Sequence, residues 1–244
     1  MIYTEDVHTR MNDFDGRGQM TVSAMLKNFE TVSNHHAASV GVMVMDTTLN
    51  NGIGWVLTDW RIGVERTPTY KDKLHIETWL FRSTHSSRTS RDALLKDDTG
   101  EVLVRASAKI ALVRLADNKP LLLSDSAVAP FQPESIGAFP DRLPRLRVPV
   151  RYDSGMPVVL RRSDMDYNGH LHNTAYLDIA MELAPKQIRE EGIHSFRISY
   201  RLPLRYGDTV TLKGAPKDGG WAATFFRGET PYAVLALNEI LQPL

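Results

Sequence analysis

Apolar residues recur along this chain at two spacings, and the switch from one to the other happens twice. Val22, Met25, Leu26 and Phe29 step by three and four, the period of a helix with one buried face. Leu177, Ala180, Met181 and Ala184 repeat that step in the second half. Each run predicts one long amphipathic helix, with Gly41 and Gly192 as stops. Beyond each helix the chain is rich in β-branched and aromatic residues at strand spacing. The first half predicts strands in the stretches 55–65, 73–81, 90–98 and 101–115, and the second half in 195–204, 208–214, 221–228 and 232–240. A helix followed by antiparallel strands, written twice, is α+β organisation with the helix across one face of its sheet. The stretch from Ala129 to Pro149 holds five of the chain's thirteen prolines and continues neither helix nor ladder. The predicted division is a first domain over 1–128, a Pro-rich linker over 129–150 and a second domain over 151–244.

The repeat extends to a motif ahead of each helix. Setting DFDGRGQMTVSAM, from Asp13, over DMDYNGHLHNTAY, from Asp164, pairs Asp15 with Asp166, Gly18 with Gly169, Met20 with Leu171 and Leu26 with Leu177. The copies differ in chemistry. Arg17 stands where the second copy has Asn168, and Gln19 where it has His170.

Composition then limits the function classes. Lys plus Arg equals Asp plus Glu at 29 each, so no uniform basic surface exists to collect nucleic acid. Cysteine is absent, which removes disulfides, thiolate zinc sites and thiol nucleophiles. The N-terminal MIYTEDVHTR lacks the basic flank and apolar run of a secretory signal, and no stretch approaches 18 consecutive apolar residues. The expectation is a soluble cytoplasmic protein, without membrane insertion, as monomer or homodimer.

The chemistry concentrates in DMDYNGH. In an extended segment Asp166, Asn168 and His170 would share one face, unless Gly169 lets the backbone curl. Asn173 is expected to cap a helix beginning near Thr174, placing backbone N–H groups and a positive dipole end beside His170, where an oxyanion could be held. Together these make a general base, an orienting acid and an amide donor. The competing reading is a polar turn that only caps a helix; Gln19, which cannot act as a base, argues against two copies of one capping device. Other chemistries fit less well. His170-Leu-His172 lacks the further ligand of a metal site, no G-x-S-x-G or Gly-rich phosphate loop occurs, and no metal or cofactor is expected. His35 and His36 sit near a helix end, where a cation suits the dipole, and Glu182 reads as a solvated helix acid.

These residues resemble a known family, the plant and bacterial acyl-acyl-carrier-protein (acyl-ACP) thioesterases. The resemblance rests on NFETVSNHHAASVG, on WVLTDWRIGVERTPTYKDKLHIETW, on TGEVLVRASA and most specifically on RRSDMDYNGHLHNTAYLDIAMELAP. It implies two tandem hotdog domains, each an antiparallel sheet wrapped around a long helix. It also implies hydrolysis of a fatty acyl-ACP thioester by an activated water, with Asp166, Asn168 and His170 as catalytic residues. The first domain would hold the acyl tail, making Met25, Leu26, Phe29 and Val32 candidate tunnel residues, although such spacing also suits plain core. An acyl carrier protein is the implied partner, and Arg142, Arg145, Arg147, Arg151, Arg161 and Arg162 form a local basic excess that could dock it. One departure stands out. The family's Glu-Cys pair after the second helix falls on Pro203 and Leu204 here.

Three alternatives stay open at this level. An acyl-CoA thioesterase differs only in its carrier, and a hotdog dehydratase needs its acid and histidine in facing halves. A non-catalytic acyl-binding protein would explain Pro203 and Leu204.

Overall fold

The computed structural model describes residues 1–42, 52–82, 86–117, 119–123, 125–141 and 143–240. They form two compact units, Met1–Pro140 and Asp141–Leu244. In the first unit, β1 (Tyr3–Asp6) leads to α1 (Val22–Ser39), then β2 (Ile53–Val64), β3 (Leu74–Leu80), β4 (Arg88–Asp97), β5 (Val102–Arg114), the short β6 (Lys119–Pro120) and α2 (Asp125–Val128). The second unit runs β7 (Ser154–Val158), α3 (Ala175–Leu183), α4 (Lys186–Glu191), β8 (Ser195–Tyr200), β9 (Val210–Lys217), β10 (Gly220–Arg227) and β11 (Thr230–Leu237).

Both units use one topology. The first sheet has the order β1-β3-β4-β5-β2, with β6 on β5, and the second β7-β9-β10-β11-β8. The pairs β1 with β3, β3 with β4, β4 with β5 and β5 with β2 are antiparallel, as are β7 with β9, β9 with β10, β10 with β11 and β11 with β8. The hydrophobic pattern finds the four strands after each helix. It misses β1 and β7, the edge strands, because four or five residues of mixed polarity such as YTED carry no detectable alternation.

Helix α1 begins where Thr21 Oγ1 accepts the N–H of Ala24 at 3.1 Å. It buries Met25, Leu26, Phe29, Val32 and His36 along one face. Phe29 lies against Trp60 of β2 with ring centroids 6.3 Å apart, and His36 stacks on Tyr3 of β1 at 5.2 Å. His36 Nδ1 is 2.7 Å from Arg91 Nη1 of β4; guanidinium only donates, so the imidazole is neutral with its proton on Nε2. In the second unit, Tyr176 of α3 packs edge-on against Phe225 of β10 at 5.0 Å and Tyr200 of β8 at 5.3 Å. The expected single long helix of the second half is corrected here. Pro185 has no N–H to continue the ladder and holds Ala184 at ψ 142°, so α3 stops at Leu183 and α4 starts afresh at Lys186.

The Pro-rich stretch is shared between the units. Phe131 and Ala138 are buried in the first, where Trp79 Nε1 donates to the Ile136 carbonyl at 2.7 Å and Ala138 N–H to Asp92 Oδ2 at 3.1 Å. Leu146 is buried in the second with Ala222, Val234 and Ala236. Among the described residues, no helix is long and apolar enough to cross a membrane.

Candidate active site

The repeated motif folds into the same turn twice. Each copy opens with a 3-10 turn, Met11–Asp13 or Arg162–Asp164, closed by its last acid: Asp13 Oδ2 accepts Arg10 N–H at 2.8 Å, and Asp164 Oδ2 accepts Arg161 N–H at 2.9 Å. The next acid organises the turn proper. Asp15 Oδ1 accepts the N–H groups of Arg17 at 2.9 Å and Gln19 at 3.0 Å. Asp166 Oδ1 accepts those of Asn168 at 2.8 Å and His170 at 3.0 Å. Gly18 and Gly169 take φ of +74° and +71°, a conformation that disfavours a side chain, and antiparallel bridges Phe14–Met20 and Met165–Leu171 close the two bases. The segment is therefore curled rather than extended. Asp166, Asn168 and His170 do not share a strand face, because an Asx-type turn gathers their backbone around one carboxylate oxygen.

A second segment braces each turn. Leu171 N–H donates to the Leu204 carbonyl at 2.8 Å and His170 bridges to Arg205, as Met20 does to Pro68 at 2.8 Å and Gln19 to Thr69. Each bracing segment is itself a capped turn. Asp72 Oδ2 accepts Thr69 N–H at 2.6 Å, and Asp208 Oδ2 accepts Arg205 N–H at 2.8 Å.

Within this shared scaffold the side chains diverge. In the first unit Arg17 grips the outer oxygen of Asp15, Nε at 2.9 Å and Nη2 at 2.8 Å. Burial pushes the Asp15 carboxyl up, but the Gln19 and Arg17 N–H groups and the Arg17 side chain hold it below the usual carboxylate range. In the second unit Asn168 cannot form that pair, and Asp166 Oδ2 has no hydrogen-bond partner among the described residues. His170 is half-buried, and its Nε2 is fully buried without a hydrogen-bond partner among the described residues. Burial, helped by the Arg205 charge and opposed by Asp166, holds the imidazole below its ordinary 6.5, so it is neutral at pH 7. The arrangement can accept a proton at a sheltered imidazole beside an anionic carboxylate.

Asn168 is exposed at the tip of the turn. Asn173 does not cap the helix. Thr174 is the N-cap, with no side-chain cap bond, and Asn173 instead offers its carbonyl to Tyr200 Oη at 2.8 Å. His172 lies just ahead of that cap, its Nδ1 3.3 Å from Thr174 N and its carbonyl accepting Ala175 N–H at 2.9 Å. Met25, Leu26, Phe29 and Val32 all lie buried on α1 of the first unit. Pro203 and Leu204 lie beyond the end of β8; Leu204 is fully buried and lends the site only its backbone, whose carbonyl accepts Leu171 N–H. Arg205 is the neighbour that pattern reading overlooks. The signal was available, since RTPTYKD and RLPLRYGD extend the repeat through Tyr70 with Tyr206 and Asp72 with Asp208.

Among the described residues, no three His, Asp or Glu side chains are grouped to hold a metal ion. Models of the acyl-ACP thioesterase N-terminal and C-terminal domains match residues 1–131 and 150–223. The chain belongs to the acyl-ACP thioesterase family. It is 28% identical over 228 residues to oleoyl-acyl carrier protein thioesterase 1, chloroplastic, of Arabidopsis thaliana, covering 85% of this chain and 62% of the relative. It is 27% identical over 218 residues to dodecanoyl-[acyl-carrier-protein] hydrolase, chloroplastic, of Umbellularia californica, covering 82% of this chain and 56% of the relative. The chain thus spans less than two thirds of the length of these curated relatives. Among solved structures, the 12:0-ACP thioesterase from Umbellularia californica superposes with a TM-score of 0.85 at 21% identity, covering 100% of this chain and 98% of that one. An acyl-ACP thioesterase from Bacteroides thetaiotaomicron gives 0.84 at 17% identity over 99% and 98%. These likenesses establish the double hotdog fold for this acyl-ACP thioesterase family member.

Proposed function

We propose that the chain hydrolyses the thioester of fatty acyl-ACP, releasing free fatty acid, at the 166–170 turn of the second unit. The observation that carries this reading is the pair of matching turns: one carboxylate is neutralised by Arg17 beside an inert Gln19, and its counterpart has no such ion pair among the described residues and lies beside a neutral, sheltered His170. His170 is the general base that takes a proton from water, Asp166 holds the turn and favours the imidazolium that forms, and the exposed Asn168 amide donates to the carbonyl. The first unit, with its inert turn, holds the acyl tail along Met25, Leu26, Phe29 and Val32.

The carrier protein is the proposed partner, and several arginines are available to an acidic one. Arg145, Arg147, Arg151 and Arg162 are exposed, and Arg161 is exposed while bound to Asp164. Arg142 lies outside the described residues. The test is fatty acid release from matched acyl-ACP and acyl-CoA panels by the wild type. Release with a lower KM or higher kcat on acyl-ACP supports the reading. Equal or better turnover on acyl-CoA removes the carrier assignment, and tight acyl binding without release removes the hydrolase.

A further inference from the structure

The negative charge that develops on a thioester oxygen during hydrolysis needs donors, and two of those at the start of α3 are already engaged. Thr174 and Ala175 N–H groups both face His172, at 3.3 Å and 2.9 Å. The turn amides are engaged as well: Asn168 and His170 donate to Asp166 Oδ1, and Gly169 to the Asp166 carbonyl at 3.0 Å. At position 204 the side chain is buried and the carbonyl already accepts Leu171 N–H. The side chains that the turn and its bracing segment present beside His170 include one neutral amide, that of Asn168, and one cation, that of Arg205.

The backbone that carries that cation is held in place. Arg205 pairs with His170 in an antiparallel bridge, gives its N–H to Asp208 Oδ2 at 2.8 Å and accepts Asp208 N–H at 3.1 Å. Its Nη1 lies 3.9 Å from the point where a side chain on Gly169 would begin, so the guanidinium lies over the glycine between Asn168 and His170. Nearby arginines have acidic partners, Arg161 with Asp164 at 2.9 Å and Arg227 with Asp208 at 3.2 Å. Arg205 makes no ion pair among the described residues.

We propose that Arg205 is a catalytic residue of this site, its guanidinium receiving the thioester carbonyl oxygen as that oxygen becomes anionic. This rests on the hydrolase reading of the turn. Water oxygen bonds to the carbonyl carbon, His170 takes the water proton, and the carbonyl π pair moves onto the oxygen facing Arg205. Collapse re-forms the carbonyl and breaks the C–S bond, and the proton on His170 passes to the departing thiolate, leaving acid and thiol. A cation beside that oxygen gains strength as charge builds, which is where catalysis is made. Gly169 keeps the approach open, because it places no side chain between the two.

The rival role for an exposed arginine is docking the anionic carrier, and truncated substrates separate the two. Wild type, Arg205→Gln, Arg205→Lys and Arg189→Gln, the last an exposed arginine on α4, are compared on acyl-ACP and on an acyl-N-acetylcysteamine, which has neither carrier nor phosphate. Thermal unfolding checks each fold. Arg205→Gln is expected to lower kcat on both substrates by about a hundredfold, the scale of one lost oxyanion donor, with Arg205→Lys in between and Arg189→Gln unchanged on the truncated substrate. Arg205→Gln with wild-type kcat on the truncated substrate overturns the proposal, whether or not KM for acyl-ACP rises. A wild type inert towards both substrates overturns the hydrolase reading and this proposal with it.

Discussion

Replacing Asp166 by Ala, with Asp15→Ala as its internal control, separates what the turn contributes to stability from what it contributes to turnover. Each carboxylate accepts two backbone N–H groups at 2.8–3.0 Å, so the two substitutions remove equivalent bonds from equivalent turns. A hydrogen bond to a charged acceptor contributes about 1.5–3 kcal/mol, and both acids are half-buried, so the freed N–H groups regain water. The net cost is about 2 kcal/mol for either variant, a fall in Tm of about 4–8 °C for a chain of this size. Asp15→Ala also loses the Arg17 ion pair, which at its exposure adds less than about 1 kcal/mol. Thermal melts should therefore rank the two variants together. Fatty acid release should not: Asp166→Ala is expected to fall at least about a hundredfold and Asp15→Ala to stay within about twofold of wild type. Asp166→Asn sharpens the point, since its amide oxygen can still accept both N–H groups; it should melt near wild type yet lose at least about tenfold in turnover. Equal activity losses for Asp15→Ala and Asp166→Ala, or full activity in folded Asp166→Ala, would refute the reasoning.

Two further predictions concern pH. Because burial and Arg205 depress the His170 pKa, its neutral form persists below pH 6.5, and the acid limb of kcat/KM should titrate below 6.5; a limb above it contradicts the assigned environment. In the first unit, burial, the Arg91 charge and the N-terminal amine hold His36 down to about 4. Its depressed folded pKa means that stability is complete above pH 6.5 and is lost as pH falls towards 4, by about 3 kcal/mol in total. Chemical denaturation at pH 7 and 4.5 should show that loss in wild type and a smaller one in His36→Gln, whereas identical pH dependence would remove His36 as its source.

Much of the fold was legible because it repeats. Helix period, strand composition and the register of Asp15 on Asp166 recur in both halves, and a repeated pattern constrains topology more than either copy alone. The second helix was over-read, since the apolar step from Leu177 to Ala184 continues to the edge of Pro185 and proline geometry, not periodicity, decides where it ends. The candidate site stood out in the sequence but was misposed. D-x-N-x-H suggested an extended face because alternate residues are polar, and only the side-chain bonds from Asp166 Oδ1 make it a turn. Asn173 was a reasonable cap by residue type, but the helix starts one residue later, with Thr174 as its N-cap and the His172 ring beside it. Arg205 carried no local signal, being next to His170 only through a bridge to a residue 35 positions along the chain, and only the repeat of RTPTYKD in RLPLRYGD points to it.

The central claim is that turnover belongs to the second turn alone and depends on its imidazole. Fatty acid release from acyl-ACP by wild type, His170→Ala and Gln19→Ala, each checked for folding, tests it most directly. The account predicts at least about a hundredfold loss for His170→Ala and wild-type rates for Gln19→Ala. Full activity in folded His170→Ala, or an equal loss in both variants, would contradict it.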